Sequence, residues 1–228
     1  MEVKNNKLVG AIFKETENQS GVITPKFIIY HFTAAGSAVS AISWMLDPKS
    51  KVSAHLHLDK QGNFVQLVEF NKRAYHAGVS EYNGYSNLNY HSIGIEIQNR
   101  GKVNGNYEDY TESQINAVIE VSKALIKAYP SIIGVAGHED IAMPRGRKDD
   151  PGPKFPMNRV RKTLFGTSQV ITKMTTSDLN MRSGPGTNNA VVTVLKKGTV
   201  VNVLSSSSSW SEVSANGFKG WVSSTYIK

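Results

Sequence analysis

Residues 137–153, GHEDIAMPRGRKDDPGP, hold the side chains of this 228-residue sequence best suited to chemistry. His138 follows a short apolar run, Lys148 lies in a charged loop, and Asp150 stands against Pro-Gly-Pro. Elsewhere His31 ends the apolar stretch KFIIYH, and Glu96 interrupts the isoleucines of SIGIEI. A hydrolytic zinc needs three protein ligands and an open position for water, whose pKa it lowers to ~7. His31, His138 and Asp150 supply such a set without a thiol. Glu96, directed away from Ile93, Ile95 and Ile97, could take the proton from that water and pass it to a leaving amine. Lys148 could offset the negative charge that grows on an attacked carbonyl.

Each of these residues also has a plainer role. A single His at a strand end is more often structural than a ligand. Asp150 before Pro-Gly could initiate a turn, and Lys148 alone would be a solvated loop charge. Glu96 could be an ordinary surface carboxylate, although Gly94 on the same face suggests a close approach by something. His55 and His57, two apart in VSAHLHL, form a rival metal pair, but one face of an exposed strand explains them more simply. Spacing alone leaves these alternatives open.

The elements that must position these residues read as alternating strands and helices. KFIIYH is a short buried strand, and Ser37 caps a helix to about Leu46 that Asp47-Pro48 stops. Residues 52–58 and FVQLV flank the turn DKQGN as a hairpin. SIGIEI is a further strand, and Thr111 with Gln114 opens a capped helix running to about Tyr129. IIGVA leads into His138, and PMNRVRKTLF is a short closing helix. Such alternation predicts an α/β layer with a mixed central sheet flanked by helices, with ligands at strand ends. From about residue 170 the texture changes to short β-type runs separated by Gly, Ser and Asn, as in a small all-β barrel. The serine run 205–209 reads as a hairpin loop within it. The expected organisation is a domain over 1–165, a linker at 166–169 and a barrel over 170–228.

Composition narrows the setting. With no cysteine, disulfides and thiolate metal sites are excluded. The formal charge of +8 divides evenly between residues 1–166 and 167–228. A basic surface attracts polyanions, including nucleic acid, anionic lipid and anionic wall polymers. Nucleic-acid binding would need aromatic and basic residues interleaved on one face, a pattern absent here. The start, MEVKNNKLVG, lacks the apolar core of a signal peptide, and the uncharged stretch 27–46 is too polar for a membrane span. No membrane insertion is expected.

The segments IIYHFTAAGSA, KVSAHLHLDKQGNFVQLV, AYHAG, LNYHSIGIEIQN, GHEDIA and RKDDPGPKF follow one another across residues 20–165. In this the sequence resembles the zinc-dependent N-acetylmuramoyl-L-alanine amidases of the type-2 class, relatives of phage amidase-type lysozymes and peptidoglycan recognition proteins. The resemblance implies one Zn2+ on His31, His138 and Asp150, with Glu96 and Lys148 catalytic. It also implies His76, Thr33 and Asn99 beside the substrate groove. The match departs from the family pattern in a longer loop from His138 to Asp150, in Tyr75 where Trp is common, and in a second carboxylate, Asp149, beside the ligand.

LNMRSGPGT, VLKKG, WSEV and NGFKGWVSSTYIK resemble a bacterial Src-homology-3-type wall-binding domain. Arg182, Trp210, Trp221 and Tyr226 are its candidate wall-binding residues, with barrel core the competing role for the aromatics. Together the two resemblances imply a phage or prophage endolysin acting on bacterial peptidoglycan. It would accumulate in the host cytoplasm and reach the wall after holin-type release. A host autolysin or sporulation amidase, and a non-catalytic peptidoglycan-binding protein, are the alternatives.

Overall fold

The computed structural model describes residues 1–166, 171–207 and 209–228, so most of the expected linker at 166–169 lies outside the described residues. Chain contacts divide the protein into two units, Met1–Leu164 and Phe165–Lys228.

The first unit is built on a six-stranded sheet. Its strands are β1 (Ile12–Phe13), β2 (Phe27–Phe32), β3 (Leu56–Leu58), β4 (Phe64–Gln66), β5 (Ser92–Ile97) and β6 (Gly134–Gly137), ordered β6-β2-β5-β3-β4-β1. The sheet is mixed: β3 and β4 pair antiparallel, and the other neighbours run parallel. The β3–β4 turn is held by Asp59, whose carboxylate accepts from the amides of Gln61 and Asn63.

Helix α1 (Ala38–Leu46) starts where the Ser37 hydroxyl accepts from the Ser40 amide, and ends at Asp47. It buries Ala41 and Met45. Helix α2 (Glu112–Ala128) has the reciprocal Thr111–Gln114 capping box, which satisfies two amides that would otherwise lack partners. Its apolar stripe, including Ile115, Val118, Ile119 and Leu125, is buried. Helix α3 (Met157–Phe165) closes the unit.

Alternation along the central strands sorts their side chains between two layers. On β2, Tyr30 reaches α2, where its hydroxyl lies 2.8 Å from that of Ser122, while His31 faces the other side. On β5, Ile93, Ile95 and Ile97 are all fully buried. Glu96 pairs in register with His31 on one side and His57 on the other, so all three project to one face.

The exposed-strand reading of His55 and His57 is corrected here. Both are buried, at 0% and 1% exposure, because β3, which His55 directly precedes and His57 belongs to, lies inside the sheet instead of at an edge. A polar residue in an alternating strand marks a second buried layer as readily as it marks water.

The second unit is a six-stranded antiparallel sheet: β7 (Ile171–Met174), β8 (Leu179–Arg182), β9 (Val191–Leu195), β10 (Val200–Ser207), β11 (Trp210–Ala215) and β12 (Phe218–Ser223), in the order β7-β10-β11-β12-β8-β9. Leu179, Met181, Val201, Val203, Val213 and Val222 form its core. The serines at 205–207 belong to β10, since Ser205 and Ser206 pair with Glu212 and Ser211, so the hairpin is shorter than the serine run.

Candidate metal centre

The site assembles at the carboxyl ends of β2 and β6. His31 is the penultimate residue of β2, and His138 follows β6 directly as the start of a four-residue helical turn, His138–Ile141. That turn is braced from behind. Asp140 accepts from the Gly137 amide and pairs at 3.2 Å with Arg161, a buried residue of α3 that also donates to the Val135 carbonyl.

The charged loop returns Asp150 to the same place. The Glu139 amide donates to the Asp150 carbonyl at 2.8 Å, and Gly137 leaves room for Pro151, whose Cδ would lie 2.6 Å from any added Cβ. Arg147 ties the loop to its neighbours by donating to the Met143 and Val79 carbonyls.

Three ligand atoms converge. His31 Nδ1 lies 3.1 Å from His138 Nδ1 and 3.0 Å from Asp150 Oδ2, and the third edge, His138 Nδ1 to Asp150 Oδ2, is 3.1 Å. Ligand atoms about 2.0–2.2 Å from a tetrahedral zinc stand roughly 3.3–3.6 Å apart, so this triangle need widen by only a few tenths of an ångström to hold one. The donor chemistry fits as well. His138 Nε2 lies 3.1 Å from the Ala77 carbonyl, an acceptor only, so Nε2 carries the proton and Nδ1 presents a lone pair. Among the described residues, these three form the one His/Asp/Glu group close enough to hold a metal.

The electrostatics favour a cation. Burial pushes His31 down to about 4, against the opposing pull of the Asp150 carboxylate, so its imidazole is neutral at ordinary pH. Burial alone would raise Asp150, but the adjoining rings of His138 and His31 hold it well below the usual carboxylate range. The set therefore places a neutral His31 imidazole and an ionised Asp150 carboxylate beside His138.

A cavity of about 460 Å³ opens over this triangle and includes Glu96, Thr33, Lys148, Tyr75, Trp44 and His76 in its lining. Burial, reinforced by Asp150 and opposed by Lys148, pushes Glu96 well above the ordinary carboxylate value. One of its oxygens, Oε2, is enclosed with no hydrogen-bond partner.

Asp149 and Asp150 are separated cleanly. Asp150 is 6% exposed and faces both histidines, whereas Asp149 points outward and accepts from the Tyr107 hydroxyl at 2.9 Å. Thr33 lines the cavity, although its hydroxyl also bonds the Asn99 backbone. Asn99 is placed elsewhere. It is 2% exposed, and its amide is committed to the Glu108 carbonyl and the Gly101 amide, which leaves nothing for a substrate. His76 is buried with both ring nitrogens near protein partners, His31 and Ser92.

The rival pair does not assemble. His55 spends one nitrogen on the Gly94 amide and the other on the Lys72 carbonyl. Gly94 is required because His76 lies over it: an added Cβ would stand 2.5 Å from His76 Cγ.

In the second unit, Met181, Val213 and Val222 point inward, so Arg182, Glu212 and Trp221, which are adjacent in register, face outward. Trp210 is half-buried and Tyr226 is 47% exposed, so none of the three candidate aromatics belongs to the buried core.

Sequence reasoning did not find the Ala77 carbonyl, Asp140, Arg161 or Tyr107. A backbone carbonyl has no residue signature, and the three side chains act across elements distant in sequence.

Comparison with known proteins gives the same outline. Residues 21–153 match the family model described as N-acetylmuramoyl-L-alanine amidase, and residues 177–228 match a bacterial SH3 domain. The 1,6-anhydro-N-acetylmuramyl-L-alanine amidase AmpD of Escherichia coli K12 is 44% identical over 112 residues, 49% of this chain and 57% of that protein. The chain thus spans little more than half the length of that relative. A crystal structure of a selenomethionine AmpD derivative superposes with a TM-score of 0.63 at 31% identity, covering 72% of this chain and 99% of the other. The Escherichia coli amidase AmiD, solved with anhydro-N-acetylmuramic acid-L-Ala-D-gamma-Glu-L-Lys, gives a TM-score of 0.57 at 32% identity, covering 68% and 61%.

Proposed function

Because this chain belongs to the N-acetylmuramoyl-L-alanine amidase family, we propose that it hydrolyses the amide joining the lactyl group of N-acetylmuramic acid to L-alanine of the stem peptide. The observation that carries the reading is the convergence of His31, His138 and Asp150 beside a recessed Glu96 in one open cavity. Zinc held there would supply an activated water at neutral pH and polarise the carbonyl.

The chain's own residues provide the remaining steps. Glu96, raised by burial, accepts the proton of the attacking water and passes it to the alanine nitrogen as the C–N bond breaks, so that the amine leaves neutral. Lys148, exposed at the cavity rim, offsets the charge growing on the carbonyl oxygen. Thr33, Tyr75 and Trp44 shape the cavity in which the muropeptide lies.

The second unit gives the enzyme its place of work. Its match to a bacterial SH3 domain and its outward Arg182–Trp221 face support attachment to peptidoglycan, with Trp210 and Tyr226 as further contacts. Tethering raises the local substrate concentration through a second point of attachment. A wall-attached amidase of this kind serves as a lytic enzyme, made in the host cytoplasm and acting on the wall after a holin-type protein opens the membrane.

The likeness to AmpD favours a second reading, a soluble amidase acting on released anhydromuropeptides. Rates on intact sacculi and on soluble 1,6-anhydromuropeptide separate the two. Clearing of sacculi with release of L-alanine amino groups supports the lytic reading. Activity confined to the soluble substrate overturns it.

A further inference from the structure

Two histidines must present the same nitrogen, Nδ1, to one point, and the structure shows a single short segment behind both. His138 Nε2 donates to the Ala77 carbonyl, and His31 Nε2 lies 3.0 Å from Nδ1 of the adjacent residue, His76. The direction of the second bond follows from its surroundings. The Ser92 hydroxyl has one proton, and at 2.6 Å it gives that proton to the Leu88 carbonyl. His76 Nε2, 3.3 Å from the same hydroxyl, must then be the donor of that pair. His76 Nδ1 is consequently an acceptor, His31 Nε2 carries the proton, and His31 Nδ1 is left with its lone pair toward Asp150.

The segment is itself held by one side chain. Asn89 Oδ1 accepts from the His76 amide at 3.0 Å and the Ala77 amide at 2.7 Å. The His76 ring is pressed onto Gly94, the one residue type that leaves room for it on β5. The Asn89 side chain bonds the backbone of the segment and neither metal ligand.

We propose that the dipeptide His76–Ala77, pinned by the Asn89 side chain, is a clamp that fixes the tautomer and direction of both metal-binding histidines. His76, with both ring nitrogens on protein partners, is then a positioning residue. The proposal rests on the zinc reading of the His31–His138–Asp150 site. Partners behind a metal ligand set its ring orientation and basicity, and their loss commonly costs roughly 10–100-fold in metal affinity.

The test is zinc affinity, measured by chelator competition on the whole chain, with the melting temperature of each zinc-free form alongside. Asn89→Ala and His76→Ala are expected to weaken zinc binding 10–100-fold. Asn89→Asp, which keeps an oxygen acceptor for both amides, should bind within a few-fold of the original protein. Equal affinity in Asn89→Ala and the original protein would overturn the clamp, as would equal weakening by Asn89→Ala and Asn89→Asp. Long-range proton–nitrogen spectra of the unsubstituted imidazoles give a second readout that does not depend on any variant folding. His76 should be protonated at Nε2 and His31 at Nε2, and a proton on His76 Nδ1 would refute the bond direction. If the unsubstituted protein takes up no stoichiometric zinc, the metal reading itself fails, which is a different result from intact binding in the variants.

Discussion

At the scale of single residues, the roles of Glu96 and Lys148 can be separated from those of the ligands. Glu96→Gln keeps the shape of the cavity floor but removes the proton acceptor. It is expected to lower kcat by about 10²–10⁴ while one zinc per chain is retained. Lys148→Ala should lower kcat by roughly 10²–10³, again with zinc in place. Metal analysis combined with turnover on a muropeptide checks both, and wild-type rates in either variant would remove that residue from the chemistry. The two adjacent aspartates give a sharper contrast. Asp150→Asn should lose zinc, because its carboxylate faces both histidines, whereas Asp149→Asn should keep it, since Asp149 points outward and its replacement can still accept from Tyr107. The reverse pattern would shift the ligand by one position. A polar residue closing an apolar run, as at His31 and His138, marks a strand end, so the candidates were legible in the sequence, while the resemblance and not the spacing joined them into one site. Asn99 was misplaced for a related reason. The resemblance put it beside the groove, but the chain turns away after β5 and buries its amide in the following loop.

At the scale of elements, the buried histidines make the fold sensitive to acid. Burial holds His55 and His57 down to about 4 from an ordinary 6.5. The unfolded chain therefore takes up protons near pH 6.5 that the folded chain refuses until about pH 4. Stability of the zinc-free protein should fall as pH drops through that window and level off below it. The slope is at most about 1.4 kcal/mol per pH unit for each histidine. Urea midpoints at pH 7 and pH 5 in chelator measure this, and equal midpoints would mean that these rings are not desolvated. Gly94→Ala tests the same layer sterically. Its Cβ would overlap the His76 ring at 2.5 Å, so either the ring or β5 must move. Overpacking of this kind typically costs about 1–3 kcal/mol. The sequence showed that something approaches Gly94, but not what does. The approaching group comes from a loop 18 residues away, and a loop of Asn, Gly, Ser and Tyr has no periodicity to say where it folds back. The same limit explains the misread strand at His55 and His57. Period-two alternation identifies two faces, while the depth of each face depends on where the strand sits in the sheet.

At the scale of the whole molecule, two units share one chain, and the formal charge divides equally between residues 1–166 and 167–228. An anionic wall would attract both parts, and that attraction should weaken as salt rises. Among the described residues no helix is long and apolar enough to cross a membrane. The outward face of the second unit can be tested without disturbing the first. Trp221→Ala should reduce co-sedimentation with peptidoglycan while leaving kcat/KM on a soluble muropeptide unchanged, since Trp221 lies outside the buried core of its unit. Unchanged sedimentation would move wall attachment to another surface. The measurement that bears most directly on the proposed reaction is mass spectrometry of peptidoglycan digested by the zinc-loaded protein. Amidase action should release stem peptides with a free L-alanine amino terminus and leave glycan strands with intact lactyl carboxylates. New reducing ends on the sugars, or cuts within the peptide, would contradict it.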